Sequence, residues 1–273
     1  KIRVDQTLDF IRRQQGRPFY VNLWFNDVHD PHMPEPGNIE NYKDISNNPY
    51  EQKFYAVLAE MDRQIGRVLD GLAEMGLEEK TLVILTSDNG PTDWPYYYKE
   101  GFLPPGSVGP FNGRKWSLYE GGIRMPFIVR WTGTIPAGKV DSSTVACGID
   151  LLPTLCKLAG AGLPEGAVQD GQDISSSFLG TPVERKHPIF WYYPNQPKPG
   201  KSEHISPTLA VRNGRWKLLA DLDGSKMQLY DLAEDLGEKT NLLSEHPETA
   251  QRLWNQVSSW AESMGLKTEK SEP

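Results

Sequence analysis

At 273 residues the chain has room for one large domain, or for one of moderate size with a small appendage, and for a substantial core. A net charge of −7 and a pI near 5.3 argue against a general binder of nucleic acid or of membrane surfaces. No run of about eighteen apolar residues offers a membrane span, and the two cysteines, Cys147 and Cys156, make neither a metal cluster nor a disulfide framework and read as buried thiols.

The chain begins at Lys1 without an initiator methionine, which suggests a fragment or a processed product. Val4, Leu8 and Ile11 share one helical face, with Gly16 as a C-cap and Pro18 as a stop. The apolar run from Phe19 to Phe25 reads as a buried strand that ends in Asn26-Asp-Val-His29-Asp-Pro31-His32-Met-Pro34. Prolines in that loop prevent a helix that would bury both histidines, so His29 and His32 are either ligands and acid–base groups or ordinary surface residues.

The clearest helix runs from Glu51 to Leu77, with Phe54, Val57, Leu58, Met61, Ile65, Val68, Leu69 and Leu72 on its core face and Gly76 as its stop. Leu82 to Leu85 does not alternate apolar with polar, which suits a strand covered on both faces of a parallel sheet. It delivers Asp88, Asn89 and Gly90 to its carboxyl end, where open α/β sheets bind ligands. Asp88 and Asn89 offer hard oxygen donors suited to Ca²⁺ or Mg²⁺, and equally a tight Asn-Gly turn. The alternation of helix and strand predicts a doubly wound α/β layer.

Between Gly90 and Lys115 no period is visible, and Trp94, Tyr96, Tyr97 and Tyr98 stand in a polar loop. Their rings suit stacking on a sugar or aryl group, or pinning the loop to the surface. Arg114 and Lys115 precede the double glycine Gly121-Gly122, which holds a compact positive charge close to backbone; a solvated lysine is the alternative. Phe127 to Trp131 reads as a strand, and Asp150 as the cap of a helix carrying Leu151, Leu152, Leu155 and Leu158.

Residues 161–205 are rich in Gly, Pro and Ser except for a short strand at His187–Tyr193. Thr208–Arg212 and Arg215–Leu219 around Asn213-Gly214 form a hairpin signature, followed by Met227–Leu232 and a last helix, Pro247 to about Met264, burying Leu253, Val257 and Trp260. This predicts two parts: residues 1–200 as a catalytic α/β layer and 201–273 as a small antiparallel sheet with a helix.

Read in order, several motifs make the chain resemble the type I, formylglycine-dependent sulfatases of the alkaline-phosphatase-like superfamily. They are His29-x-Pro31, Met61-Asp-Arg-Gln-Ile-Gly66, Thr86-Ser-Asp-Asn-Gly90, Lys115-x-x-x-Tyr119-Glu-Gly-Gly-Ile-Arg-Met-Pro126, Ile149-Asp-Leu-Leu-Pro-Thr154, and Arg215-Trp-Lys-Leu with Leu229-Tyr-Asp-Leu232. The resemblance covers the C-terminal two-thirds of such an enzyme and implies an α/β/α sandwich with a small C-terminal antiparallel sheet. It implies that Asp88 and Asn89 bind Ca²⁺ in preference to Mg²⁺, that Lys115 contacts the sulfate, and that His29 assists the leaving group. His32, Trp94, Tyr97 and Arg114 are candidate substrate contacts.

The resemblance also implies a Cys/Ser-x-Pro/Ala-x-Arg motif, whose Cys or Ser becomes formylglycine, and two upstream aspartates. Cys147 is followed by Gly-Ile-Asp-Leu and Cys156 by Lys-Leu-Ala-Gly, so the nucleophile is expected on a missing N-terminal segment of the same enzyme. Alone, this chain is expected neither to turn over sulfate esters nor to hold calcium tightly. The implied substrate is a sulfated small molecule or saccharide, and the implied compartment periplasmic or secreted. Two rival readings are a phosphodiesterase or phosphonate hydrolase of the same superfamily, and a non-catalytic protein with a carbohydrate cleft lined by Trp94, Tyr96–Tyr98 and Trp191–Tyr193. Asn89 beside Asp88 favours the sulfatase over the first.

Overall fold

The computed structural model describes residues 1–95, 104–194 and 201–266. It divides into two compact units. One holds residues 1–83, 95–105 and 130–134, and the other holds residues 84–94, 106–129 and 135–273.

In the first unit, α1 (Ile2–Arg13) buries Val4, Leu8 and Ile11, the stripe its spacing predicts. It packs on α2 (Pro49–Glu74) where Leu8 lies so close to Gly71 that a Cβ there would come within 2.5 Å of Leu8 Cδ2. The side chain of Asn48 caps α2 by accepting the Tyr50 N–H at 2.9 Å, one of the donors a helix start leaves unpaired. Arg67 of α2 pairs with Asp5 of α1 at 2.5 Å.

The run Phe19–Phe25 differs from expectation. It is not a strand of any sheet, although its side chains alternate between half-buried and exposed as in extended chain. The apolar pattern is there, but among the described residues no neighbouring strand completes a ladder with it, and Tyr20 and Trp24 are exposed.

In the second unit, β3 (Ile189–Tyr192), β4 (Leu209–Asn213), β5 (Trp216–Ala220) and β6 (Gln228–Asp231) form an antiparallel meander in chain order. α6 (Pro247–Ser263) covers one face, closing a core of Leu209, Val211, Leu218 and Leu229 against Leu253 and Val257. The other face buries Ala210, Leu219 and Tyr230 against Leu118 and Tyr119. The predicted antiparallel sheet and helix are thus present. The β4–β5 turn sits one residue later than the motif suggests, on Gly214-Arg215, because Asn213 still pairs with Trp216. Gly214 takes the first loop position with a φ of 61°, which a glycine accepts without strain.

β1 (Val83–Thr86) and β2 (Phe127–Arg130) make a two-stranded sheet. Here too the expectation of a strand covered on both faces is not met: β1 runs from half-buried to exposed, and Leu85 and Ile128 are open. α4 (Leu151–Leu158) follows Asp150 as predicted, but the Asp150 carboxylate does not cap it. The carboxylate accepts the N–H groups of Cys147 at 2.7 Å and Gln172 at 2.9 Å and pairs with Arg185. Neither cysteine is fully buried; both are half-buried free thiols. No helix among the described residues is long and apolar enough to cross a membrane.

A buried charge cluster joins the motif Tyr119-Glu120-Gly-Gly to the sheet. Glu120 begins α3 (Glu120–Ile123), and Lys217 of β5, fully buried, lies 2.8 Å from it and 2.9 Å from Glu238. Glu238 also accepts the Glu120 backbone N–H at 2.6 Å. Burial pushes the Glu120 carboxyl up, but Lys217, aided by Arg212 and Arg124, outweighs it and holds it below its ordinary 4.5. At Glu238 burial wins and the carboxyl is raised. A depressed carboxylate contributes stability that is present above its unfolded value and lost as pH falls through its folded value. Lys217→Met should therefore cost about 3–5 kcal/mol near neutral pH, because it strands buried carboxylates. In urea denaturation of the protein, the gap to wild type should narrow as pH falls, Glu238 taking up its proton above 4.5 and Glu120 below it. A gap independent of pH would show that the cluster is not held by charge.

Candidate functional site

The turn after β1 and the loop before α3 are knitted together by backbone. Gly90 donates its N–H to the Gly122 carbonyl at 3.0 Å, the Lys115 N–H reaches the Pro91 carbonyl at 3.0 Å, and the Gly121 N–H reaches Asn112 at 2.6 Å. These chains approach so closely that a Cβ on Gly90 would collide with the Gly121 carbonyl oxygen, and one on Gly122 with that of Ser117. The double glycine is there for close approach, as the sequence suggests. Asp88-Asn89 and Arg114-Lys115, the predicted metal and anion groups, are thereby fixed to one backbone scaffold.

On that scaffold Asp88 is exposed and Asn89 half-buried, and the Asp88 carboxylate makes no hydrogen bond or ion pair among the described residues. The Asn-Gly pair does not join paired strands, since Gly90 bonds to Gly122. Both side chains are hard oxygen donors, the chemistry calcium takes, but Ca²⁺ requires about six to eight such ligands. No group of three His, Cys, Asp or Glu able to hold a metal occurs among the described residues. The pair fits as part of a calcium shell and not as a whole one.

Lys115 is half-buried, with Nζ 5.7 Å from the Trp116 ring. Trp116 has a φ of 73°, a left-handed conformation that costs a bulky side chain about 1–2 kcal/mol and marks the loop as one held by its surroundings. The Trp94 ring meets Trp116 edge-on at 5.7 Å. Arg114 directs Nε and Nη2 to the Thr92 carbonyl at 3.2 and 3.0 Å, and Nη2 to the Gly106 carbonyl at 3.0 Å. It therefore staples the loop around the candidate site. Burial lowers the Arg114 guanidinium from its ordinary value, with the Asp93 charge opposing. Tyr97 lies outside the described residues.

His29 and His32 belong to the other unit. His29 is exposed, and its Nδ1 donates to the Asp30 carbonyl at 2.7 Å. His32 is buried, with Nδ1 3.3 Å from the Asp30 carboxylate, Nε2 3.4 Å from the Val28 carbonyl, and its ring against Phe54 at 5.4 Å. Of the two, His29 has the exposure that a substrate-facing group needs.

Sequence reasoning missed the pair Asp93–His204, whose members are far apart in the chain, and the Glu120–Lys217–Glu238 cluster. Asp93 and His204 stand in no singled-out motif, whereas two residues of the cluster were visible in motifs and only their pairing was not. Glu120 and Lys217 each lay in a motif already singled out, and a lysine inside an apolar β-hairpin strand is the signal that should have prompted a search for an acidic partner.

Residues 1–161 match the family described as Sulfatase, and residues 106–263 match N-sulphoglucosamine sulphohydrolase, C-terminal. A sulfatase of Formosa agariphila is 32% identical over 91% of this chain and 47% of its own length. An N-acetylgalactosamine-6-O-sulfatase of Bacteroides thetaiotaomicron is 29% identical over 92% and 49%. The solved structure of Ps i-CgsB, also determined in complex with k-i-k-neocarrahexaose, superposes with a TM-score of 0.79 at 22% identity, covering 94% of this chain and 53% of that one. The chain spans about half the length of the curated relatives it matches.

The interleaved backbones make a direct prediction. Gly122→Ala should destabilise the protein by about 3 kcal/mol or more, since the obstructing atoms are carbonyl oxygens that cannot swing aside. Gly66→Ala, within α2 with nothing within 4 Å of the added carbon, should stabilise by about 0.5–1 kcal/mol. Thermal melts of the two variants shifted in the same direction would refute this account.

Proposed function

Since this chain belongs to the sulfatase family, we propose that it forms the distal part of an enzyme that hydrolyses a sulfate ester of a saccharide. A segment upstream of it would supply the formylglycine nucleophile and the remaining metal ligands. The observation that carries this reading is the joining of the Asp88-Asn89 turn to the Lys115 loop through Gly90, Pro91 and Gly122. Support for a saccharide comes from the Bacteroides relative's name and from the saccharide complex of Ps i-CgsB.

Cleavage of a sulfate ester spreads negative charge over the sulfuryl oxygens and the departing alkoxide. The Lys115 ammonium neutralises charge on the sulfate, its backbone being fixed by the Pro91 bond. His29 gives a proton to the leaving oxygen. A carbonyl only accepts, so Nδ1 of His29 carries a hydrogen toward Asp30 and the acid must act from a protonated Nε2. Asp88 and Asn89 contribute two oxygen donors to a calcium ion, which supplies further positive charge when bound. A monoanionic sulfate needs less positive charge than a phosphate dianion, so one cation with lysine suffices.

Matched aryl sulfate and aryl phosphate esters, given to the enzyme with its upstream segment, test this reading: the sulfate should be hydrolysed far faster, and a preference for phosphate would overturn it. Lys115→Met should lower kcat/KM about a hundredfold or more. His29→Gln should lower kcat by a similar factor on an alkyl sulfate and by less on an activated aryl sulfate, whose leaving group needs no proton. Asp88→Ala should weaken calcium binding at least tenfold by titration calorimetry. Unchanged calcium affinity would remove Asp88 from the metal shell.

A further inference from the structure

The second unit contains a buried acid–histidine pair that the account above does not use. Asp93 is fully buried, and its Oδ2 lies 2.6 Å from Nδ1 of His204, whose side chain keeps 15% exposure. The other carboxylate oxygen of Asp93 is buried without a hydrogen-bond partner. An unpaired buried oxygen of this kind is uncommon and costly, and the Arg114 charge that Asp93 also feels leaves that oxygen without a hydrogen bond. The arrangement calls for a role beyond folding.

A carboxylate only accepts hydrogen bonds, so Nδ1 of His204 carries the hydrogen, and in the neutral ring Nε2 is the acceptor. Nε2 makes no hydrogen bond among the described residues and is not among the buried unpaired atoms, so it is open to solvent. Both partners are tied to the Lys115 loop. Asp93 follows Pro91, which takes the Lys115 N–H, and precedes Trp94, whose ring rests on Trp116 beside Lys115. His204 ends a helical turn, Ser202–His204, just before Ser206, whose hydroxyl accepts the Leu118 N–H at 2.8 Å.

We propose that His204 is a specificity-determining residue of the sulfate site, accepting a hydrogen bond from a saccharide hydroxyl at Nε2, with Asp93 as the positioning residue that fixes its tautomer and orientation. The proposal rests on the sulfatase reading and names what that site recognises beyond the sulfate. An uncharged ring nitrogen at Nε2 suits a hydroxyl donor, and the Trp94–Trp116 pair sets two aromatic rings on the loop that carries Lys115.

The test compares 4-nitrophenyl sulfate, which has no sugar hydroxyls, with the best substrate from a panel of monosulfated hexoses and hexosamines, using the enzyme with its upstream segment. His204→Ala should lower the ratio of kcat/KM for the sugar to that for the aryl ester about tenfold or more, because only the sugar loses a hydrogen bond. His204→Gln, which keeps an acceptor at similar reach, should recover part of it. Asp93→Asn is isosteric and should lower the same ratio; it carries the test if His204→Ala does not fold. A ratio within threefold of wild type in Asp93→Asn and in the folded His204 variants would overturn the proposal. Wild-type turnover of the aryl sulfate but of no sulfated sugar would overturn it while leaving the sulfatase reading standing. No turnover of either ester would overturn both.

Discussion

The second unit depends on one close approach of backbone to backbone. The segment from Gly90 to Thr92 lies against residues 112–122 with no room for a Cβ at Gly90, Gly121 or Gly122. Side chains cannot mediate a contact this tight, so its precision comes from main-chain hydrogen bonds, which do not change rotamer. The consequence is chemical. Asp88, Asn89 and Lys115 keep fixed relations in their backbones, although each lies in irregular chain, where side chains are ordinarily placed least accurately.

A second constraint works from outside. α3 is only a single turn of helix, too short to be stable alone. It is held because Glu120 and Lys217 are buried together, with Glu238 completing the cluster. Hydrophobic residues of equal volume would give comparable stability. What the charges add is register: a lysine on β5 that must find two carboxylates admits one placement of α3 on the sheet. The C-terminal sheet therefore does more than enlarge the fold, since through Lys217 it sets the position of the double glycine and, through that, of Lys115.

Much of this organisation was legible in the sequence because it follows from local rules. Val4, Leu8 and Ile11 marked α1, the Asn-Gly motif placed the β4–β5 hairpin to within one residue, and Leu253 and Val257 marked the buried face of α6. The candidate site was legible where it lay in contiguous motifs, as at Asp88-Asn89 and Lys115 through Gly122. What was hidden depends on pairing across the chain. Lys217 meets Glu120 from 97 positions away, and His204 meets Asp93 from 111. No periodicity records such a distance. Asp150 shows the same limit on a smaller scale: its position predicted a helix cap, but Arg185 and two backbone N–H groups compete for the carboxylate and win.

The two expectations of buried strands fall short in one direction. Leu82–Leu85 and Phe19–Phe25 both carry apolar residues on successive positions, a pattern stable only when each face is covered. In the structure β1 grades from half-buried to exposed, Ile128 of β2 is open, and Phe19–Phe25 is extended without a ladder partner among the described residues. Sequence and structure disagree only if the chain is required to cover these faces itself. An upstream segment of the kind proposed for the nucleophile would reconcile them, because strands added beside β1 and the Phe19–Phe25 run would bury the same residues that the sequence marks as core. Completing the sheet would also bring further side chains to the carboxyl end of β1, where Asp88 and Asn89 are the proposed calcium ligands. The open apolar faces and the small number of donors at that proposed site would then share one cause.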